Sequence, residues 1–189
     1  MSLTVVQRIF AVNGLTVFDV EEHATHGGSL RVFAQRRDTG RRAPSASVNQ
    51  VLECEGRSGM TTVGHYTDFQ LKANKVKNDF LGFLLNLREG RRTVAAYGAA
   101  AKGNTLMNYA GVRSDLLPYV VDRNPAKQGK FMPGSRIPIV PEVRLHQDKP
   151  DYVVILPWNL RDEVTQQLDY IRAWGGKFVT AVPHLQVGR

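Results

Sequence analysis

The sequence predicts an α/β fold: a Rossmann-like parallel sheet with helices on both faces, preceded by a small α+β segment. From residue 93 onward, apolar runs of four to six residues alternate with helical patterns. Such runs form strands that are buried on both faces of a parallel sheet. Before that point, apolar residues first recur at every second position and then at every third or fourth position. This order is typical of a strand pair followed by a helix. We therefore expect an α+β segment at residues 1–90 and a Rossmann-like domain at residues 91–189.

The α+β segment contains a predicted strand pair and a long helix. Residues 15–21 and 29–34 alternate between apolar and polar side chains, and the glycines at positions 27 and 28 separate them. Residues 66–87 carry apolar side chains at helical spacing, which predicts an amphipathic helix. A helix at the start of the chain ends at Asn13-Gly14 but has no convincing first turn.

The Rossmann-like domain contains five predicted strands and two principal helices. The strands are expected at residues 93–97, 117–121, 136–140, 151–157 and 177–182. The helices are expected at residues 104–110 and 161–174. Since ligands of such sheets bind beyond the carboxyl ends of the strands, the residues that follow each strand are the candidates for a site.

Composition restricts the function classes. The 25 Lys and Arg residues outnumber the 17 Asp and Glu residues, and the resulting net charge of +8 suits an anionic partner. The chain has no RNP motif, zinc-finger spacing or basic heptad, so a phosphorylated small molecule is favoured over nucleic acid. A single cysteine, Cys54, excludes an internal disulfide and fits a cytoplasmic location. No apolar run approaches the ~20 residues that span a bilayer, so no membrane contact is expected.

Residues 98–104, between the first strand of the Rossmann-like domain and the next helix, form the main candidate site. We call them the 98–104 segment. Gly98 permits a sharp turn, Ala99 leaves the backbone accessible, and Lys102 adds a positive charge near a helix N-terminus. Gly98 and Gly103 have the spacing of a Walker loop, but Asn104 replaces its lysine, so hydrolysis of a nucleoside triphosphate is disfavoured. The alternative is a tight turn without a ligand.

Four residues after other strands are further candidates. Asp122 follows the second strand and either bonds a ribose hydroxyl or caps the next turn. Lys127 lies in a polar stretch that can fold over an anion. Trp158 follows the most apolar strand and either stacks on a ligand or packs at the edge of the core. Asn159 either contacts the ligand or caps the next helix.

His26 is the histidine of greatest interest. It precedes two glycines that let the backbone approach a ligand, and Ser29 and Arg31 after them can bind a phosphate or a hydroxyl. A structural role for a lone histidine in a turn is the alternative. The five histidines show no metal-ligand spacing, so no metal site is expected.

Five motifs together resemble one family, the C-terminal domain of the S-adenosylmethionine-dependent sugar C-methyltransferases. They are residues 25–32, 97–106, 121–129, 133–139 and 158–159. In that family a base removes the proton next to a sugar keto group, and the resulting enolate carbon attacks the methyl group of the donor.

The resemblance implies a three-part parent that consists of a zinc-binding segment, a methyl-donor domain and this domain. The zinc motif and the donor loop are absent here, so we expect no cofactor in this chain and S-adenosylmethionine in the upstream domain. The partners would be that domain and a nucleotide-linked keto-sugar, and the chain alone would be inactive. The resemblance gives His26 a possible catalytic role, and Ser29 and Arg31 a place in the substrate cleft. The lack of a recognisable first turn in the first helix agrees with a domain that is excised from such a parent.

Two other functions stay open on the sequence alone. The first is an NAD(P)-type module of an oxidoreductase, which the missing G-x-G-x-x-G order disfavours. The second is a non-catalytic interaction or nucleic-acid-binding domain that relies on the net charge of +8.

Overall fold

A computed structural model describes residues 2–188, apart from the side chain of His26. The chain divides into two units, Met1–Gln70 (unit 1) and Leu71–Arg189 (unit 2). Each unit has a hydrophobic core of its own.

Unit 1 is a strand pair with two helices. Its elements are α1 (Leu3–Val12), β1 (Leu15–His23), β2 (Ser29–Arg36) and α2 (Ala46–Arg57). The strands are antiparallel, and His23 pairs with Ser29 at the hairpin end. The turn Thr25–Gly27 joins them there. The predicted strand pair is confirmed, and its core is small, with Leu3, Val17, Val20 and Val48 as the buried apolar residues.

The start of α1 is capped, contrary to the expectation from the sequence. The Ser2 hydroxyl accepts a hydrogen bond from the Val5 N–H at 3.4 Å. The buried Glu55 carboxylate of α2 accepts from the Leu3 N–H at 2.6 Å and the Thr4 N–H at 2.8 Å. Burial raises the pKa of Glu55, but these bonds and that of the Thr4 hydroxyl together lower it below its ordinary value. The prediction failed for two reasons: the local N-cap, Ser2, was not recognised, and the remaining acceptor, Glu55, belongs to another helix.

Unit 2 contains a six-stranded sheet and four helices. The strands are β3 (Val94–Tyr97), β4 (Val120–Val121), β5 (Ile139–Val140), β6 (Tyr152–Ile155), β7 (Lys177–Thr180) and β8 (Gln186–Val187). The helices are α3 (Phe69–Glu89), α4 (Ala101–Ala110), α5 (Val143–Asp148) and α6 (Arg161–Gln167). The sheet order is β5-β4-β3-β6-β7-β8, with parallel pairing from β5 to β7 and an antiparallel β8. This is the predicted Rossmann-like α/β fold.

Helices cover both faces of the sheet, as predicted. Side chains of a strand alternate between faces, so neighbouring residues of β3 belong to different cores. Ala96 packs with Phe80 of α3 and Met107 of α4. Ala95 packs with Leu145 of α5 and Val164 of α6. The full burial of β3 explains why its sequence shows an apolar run rather than an alternating pattern.

Several predicted boundaries differ from the structure. The strands expected at residues 117–121 and 136–140 each begin three residues later, and three larger differences concern the units and the helices. The units divide after Gln70 rather than after residue 90, because α3 packs against the sheet of unit 2. Helix α4 begins at Ala101 rather than at Asn104, because Ala101 and Lys102 have high helix propensity and extend the helix towards its N-terminus. The predicted helix at 161–174 is α6 followed by a 3₁₀ helix, Asp169–Trp174. Within residues 2–188, no helix has the length and apolarity needed to cross a membrane.

Candidate functional site

The candidate site lies where the order of the parallel strands reverses. From β3 the chain passes to β4 and β5 on one side, whereas β6 and β7 lie on the other side. At such a point the connections diverge and leave a crevice at the carboxyl ends of the two central strands, here β3 and β6. The 98–104 segment follows β3, and Trp158 and Asn159 follow β6.

Two glycines allow the 98–104 segment to lie against the chain that follows β6. Gly98 has a φ of +86°, and a Cβ atom there would lie 2.6 Å from Cδ of Pro157. A Cβ atom at Gly103 would lie 2.5 Å from Cβ of Leu156. Any larger residue would therefore separate the two connections. These glycines hold the two sides of the crevice close together.

Lys102, Trp158 and Asn159, predicted separately, come together in the structure. The Lys102 Nζ atom donates a hydrogen bond to Oδ1 of Asn159. The same Nζ atom lies 5.1 Å from the ring centroid of Trp158. Both contacts are with neutral groups, so they orient the ammonium without cancelling its charge. Asn159 does not cap α6, whose N-cap is Leu160, and the helix-capping alternative is wrong.

Asp122 and Lys127 also come together, but as a brace for the 98–104 segment. The Asp122 carboxylate, only 9% exposed, accepts hydrogen bonds from the Ala99 N–H and the Asn124 N–H, each at 2.8 Å. Lys127 Nζ lies 3.2 Å from the same carboxylate and donates to the Ala99 carbonyl at 3.0 Å. The turn-capping alternative for Asp122 is confirmed. A contact of Asp122 or Lys127 with substrate stays a prediction.

Tyr97 directly precedes the 98–104 segment, and its side chain belongs to the core on the face of the sheet that α5 and α6 cover. Its hydroxyl accepts a hydrogen bond from the Gln167 amide. Burial raises the pKa of Tyr97, so the phenol stays protonated at neutral pH. Glu142 lies beside it, accepts from the Tyr170 hydroxyl at 3.1 Å and pairs with Arg123 at 3.1 Å. This polar group was missed in the sequence because its members are distant along the chain.

A groove opens between the start of α4 and the connection from β4 to β5. We call it the α4 groove. It measures about 740 Å³ and is lined by residues 99–101, 104, 105, 126, 127, 130–133 and 139. Lys130 and Phe131 were missed in the sequence. The signal for them was weak: Phe131 is a single aromatic residue in a polar stretch, and its side chain is 59% exposed.

The predicted residues of unit 1 have local partners. The Ser29 hydroxyl donates to the Thr25 carbonyl at 2.9 Å and closes the hairpin turn. Arg31 pairs with Glu21, its cross-strand neighbour, at 3.0 Å. The side chain of His26, the predicted catalytic residue, lies outside the described residues. Their contacts with substrate stay predictions.

The fold and the site first define a class: an α/β domain of Rossmann type with a basic, glycine-containing turn at the switch point. Comparison with known proteins then gives the family. Residues 24–183 match the model of the C-methyltransferase C-terminal domain, and the chain belongs to this family. It is 31% identical over 186 residues to C-methyltransferase NovU of Streptomyces niveus. The match covers 95% of this chain and 42% of NovU, so the chain spans less than half the length of this relative.

Proposed function

We propose that the chain is the substrate-binding part of an S-adenosylmethionine-dependent C-methyltransferase and holds a nucleotide-linked keto-sugar at the 98–104 segment. The observation that carries this proposal is Lys102 at the switch point. Its ammonium is oriented by Trp158 and Asn159, and its charge is not cancelled by these neutral groups. A nucleotide-linked sugar carries a diphosphate, which needs such a cation.

The start of α4 supplies further groups for the diphosphate. The first N–H groups of an α-helix have no acceptors within the helix, and the positive end of the helix dipole lies there. Asp122 would repel an anion, but Lys127 compensates its charge at 3.2 Å. The positive charge of Lys102 therefore dominates near this helix end.

The same geometry disfavours the oxidoreductase alternative. Dinucleotide-binding sheets use an acidic residue after the second strand to bond the ribose hydroxyls. Here Asp122 occupies that position, but its two oxygens accept from Ala99, Asn124 and Lys127. These three donors occupy the Asp122 carboxylate, so its role fits the stabilisation of the 98–104 segment better than ribose binding. Since S-adenosylmethionine also contains a ribose, we propose that it binds outside this chain.

The proposed contribution of this chain to catalysis is binding and orientation. S-adenosylmethionine supplies the methyl group in such enzymes. Lys102 and the N–H groups of α4 would anchor the diphosphate, and this would position the attached sugar for proton removal and methyl transfer elsewhere in the enzyme. Anchoring a remote part of the substrate contributes to the rate because it reduces the entropy cost of orientation.

Titration calorimetry with UDP-glucose, dTDP-glucose and NAD as probes tests the proposal. We expect the sugar nucleotides to bind and NAD to bind more weakly. Lys102→Met should weaken sugar-nucleotide binding about tenfold, because a charge-assisted hydrogen bond is lost. Lys177→Met, the same charge change at the start of β7, is the control and should leave the affinity unchanged. Equal affinities for both variants, or preferential binding of NAD, would contradict the proposal.

A further inference from the structure

Asn104 carries a buried polar atom without a partner. Its Oδ1 atom makes no hydrogen bond to any described residue and is covered from solvent. Asn108, one turn further along α4, differs: its amide donates to the Asn104 carbonyl at 3.0 Å and to the Pro133 carbonyl at 2.9 Å. A buried acceptor without a partner destabilises a protein and requires an explanation.

The α4 groove, which Asn104 lines, has the features of a site for a planar ring. Phe131, which lines the groove from the connection between β4 and β5, is 59% exposed, yet its backbone is held in place. It forms a β-bridge with Pro138, and the Met132 N–H donates to the Ile137 carbonyl at 2.8 Å. An exposed aromatic ring on a fixed backbone offers a stacking surface at little entropic cost. Lys130 of the same connection adds a positive charge.

We propose that the α4 groove is the nucleobase subsite and that Asn104 accepts a hydrogen bond from a ring N–H of the base. The base stacks on Phe131, and the Asn104 amide turns into the groove so that Oδ1 gains the partner that it lacks. Uracil, thymine and guanine carry a ring N–H, whereas cytosine and adenine do not. The inference rests on the proposed function, because the diphosphate attached to the base would lie at the 98–104 segment.

Binding of UDP, N3-methyl-UDP and inorganic pyrophosphate to the full chain tests this subsite. N3-methylation replaces the ring N–H with a methyl group and so removes the donor, and we expect it to weaken binding to the wild type about tenfold. In Asn104→Leu and Asn104→Ala, UDP should bind as weakly as N3-methyl-UDP, with a difference below about twofold. Pyrophosphate affinity should be the same in the wild type and both variants.

The melting temperature of the ligand-free protein gives a second measurement. Asn104→Leu should raise it by about 3 °C, because an unpartnered polar group is replaced by an apolar one. Asn108→Leu is the control and should lower it, because two hydrogen bonds are lost. If Asn104→Leu is more stable than the wild type but no longer distinguishes UDP from N3-methyl-UDP, Asn104 serves recognition of the base rather than stability of the fold.

The outcomes separate the subsite from the proposed function. Equal binding of UDP and N3-methyl-UDP to the wild type, with normal pyrophosphate binding, overturns the subsite and leaves the diphosphate site intact. A lower melting temperature for Asn104→Leu also contradicts the assignment. Absence of binding by both UDP and pyrophosphate overturns the subsite and the proposed function together.

Discussion

Two lysines are associated with the 98–104 segment, and their partners differ: Lys102 belongs to the segment, and Lys127 contacts it. Lys127, on the side of β4, pairs with the buried Asp122 carboxylate and the Ala99 carbonyl. Lys102, on the side of β6, contacts the neutral Asn159 and Trp158. The first arrangement neutralises charge and fixes the backbone, whereas the second orients a charge that can act on a ligand. Residue type alone therefore does not distinguish a lysine whose charge is neutralised by a carboxylate from one whose charge is left available.

Removal of the brace should have the largest effect on stability. Asp122→Ala leaves the half-buried Ala99 N–H without its acceptor and Lys127 without its anion, and should lower the free energy of unfolding by about 2–3 kcal/mol. Urea denaturation measures the change. Asp115→Ala, which removes an exposed ion pair with Arg88, is the control and should cost less than about 0.5 kcal/mol. A similar loss for both variants would contradict the structural role of Asp122.

A substitution that separates the 98–104 segment from the chain that follows β6 should have the next largest effect on stability. Gly103→Ala places a Cβ atom 2.5 Å from Leu156, and should lower the free energy of unfolding by about 1–2 kcal/mol despite the better helix propensity of alanine. Gly82→Ala in α3 meets no atom within 4 Å and is the control. It should stabilise the protein by about 0.5–1 kcal/mol. Stabilisation by both substitutions would show that the crevice is looser than described.

Comparison of the Lys127→Met and Lys102→Met variants directly tests the difference between the roles of the two lysines. Lys127→Met should lower the free energy of unfolding by about 0.5–1 kcal/mol, since its ion pair with Asp122 is half-exposed. It should weaken sugar-nucleotide binding less than the tenfold expected for Lys102→Met. Urea denaturation and calorimetry on the two variants provide the comparison. A greater loss of affinity for Lys127→Met would reverse the assignment of the two lysines.

The smallest expected effect is spectroscopic. Trp158 lies 5.1 Å from the Lys102 ammonium, so an anion bound to Lys102 should change the indole fluorescence. We expect UDP to change the emission of the wild type and of Trp174→Phe by about 10% or more, because the ligand would lie beside the indole ring of Trp158. Trp158→Phe, which retains only Trp174, should show no change. A response that persists in Trp158→Phe would place the ligand elsewhere.

Much of the fold followed from local patterns. The alternation at residues 15–21 and 29–34 and the apolar runs at 93–97 and 151–157 identified strands, because burial on one or both faces determines their side chains. The short antiparallel β8 was missed, since its two residues, Gln186 and Val187, carry no recognisable period. The contribution of Glu55 to the cap of α1 was missed because it comes from another helix, whereas the local cap, Ser2, was readable from the sequence and was overlooked.

The sequence by itself determined which residues lie at the edge of the sheet that holds the candidate site. Gly98, Asp122 and Trp158 follow three of the predicted parallel strands, and the carboxyl ends of such strands meet at one edge. The tertiary structure decided the partners: it determined which lysine is neutralised, and it brought Phe131 and Asn104 to the same groove. The physical reason is that the strand order is not the order of the chain. Because β3 lies next to β6 in the sheet, Lys102 after β3 reaches Asn159 after β6. Because β3 also lies next to β4, Ala99 after β3 reaches Asp122 after β4.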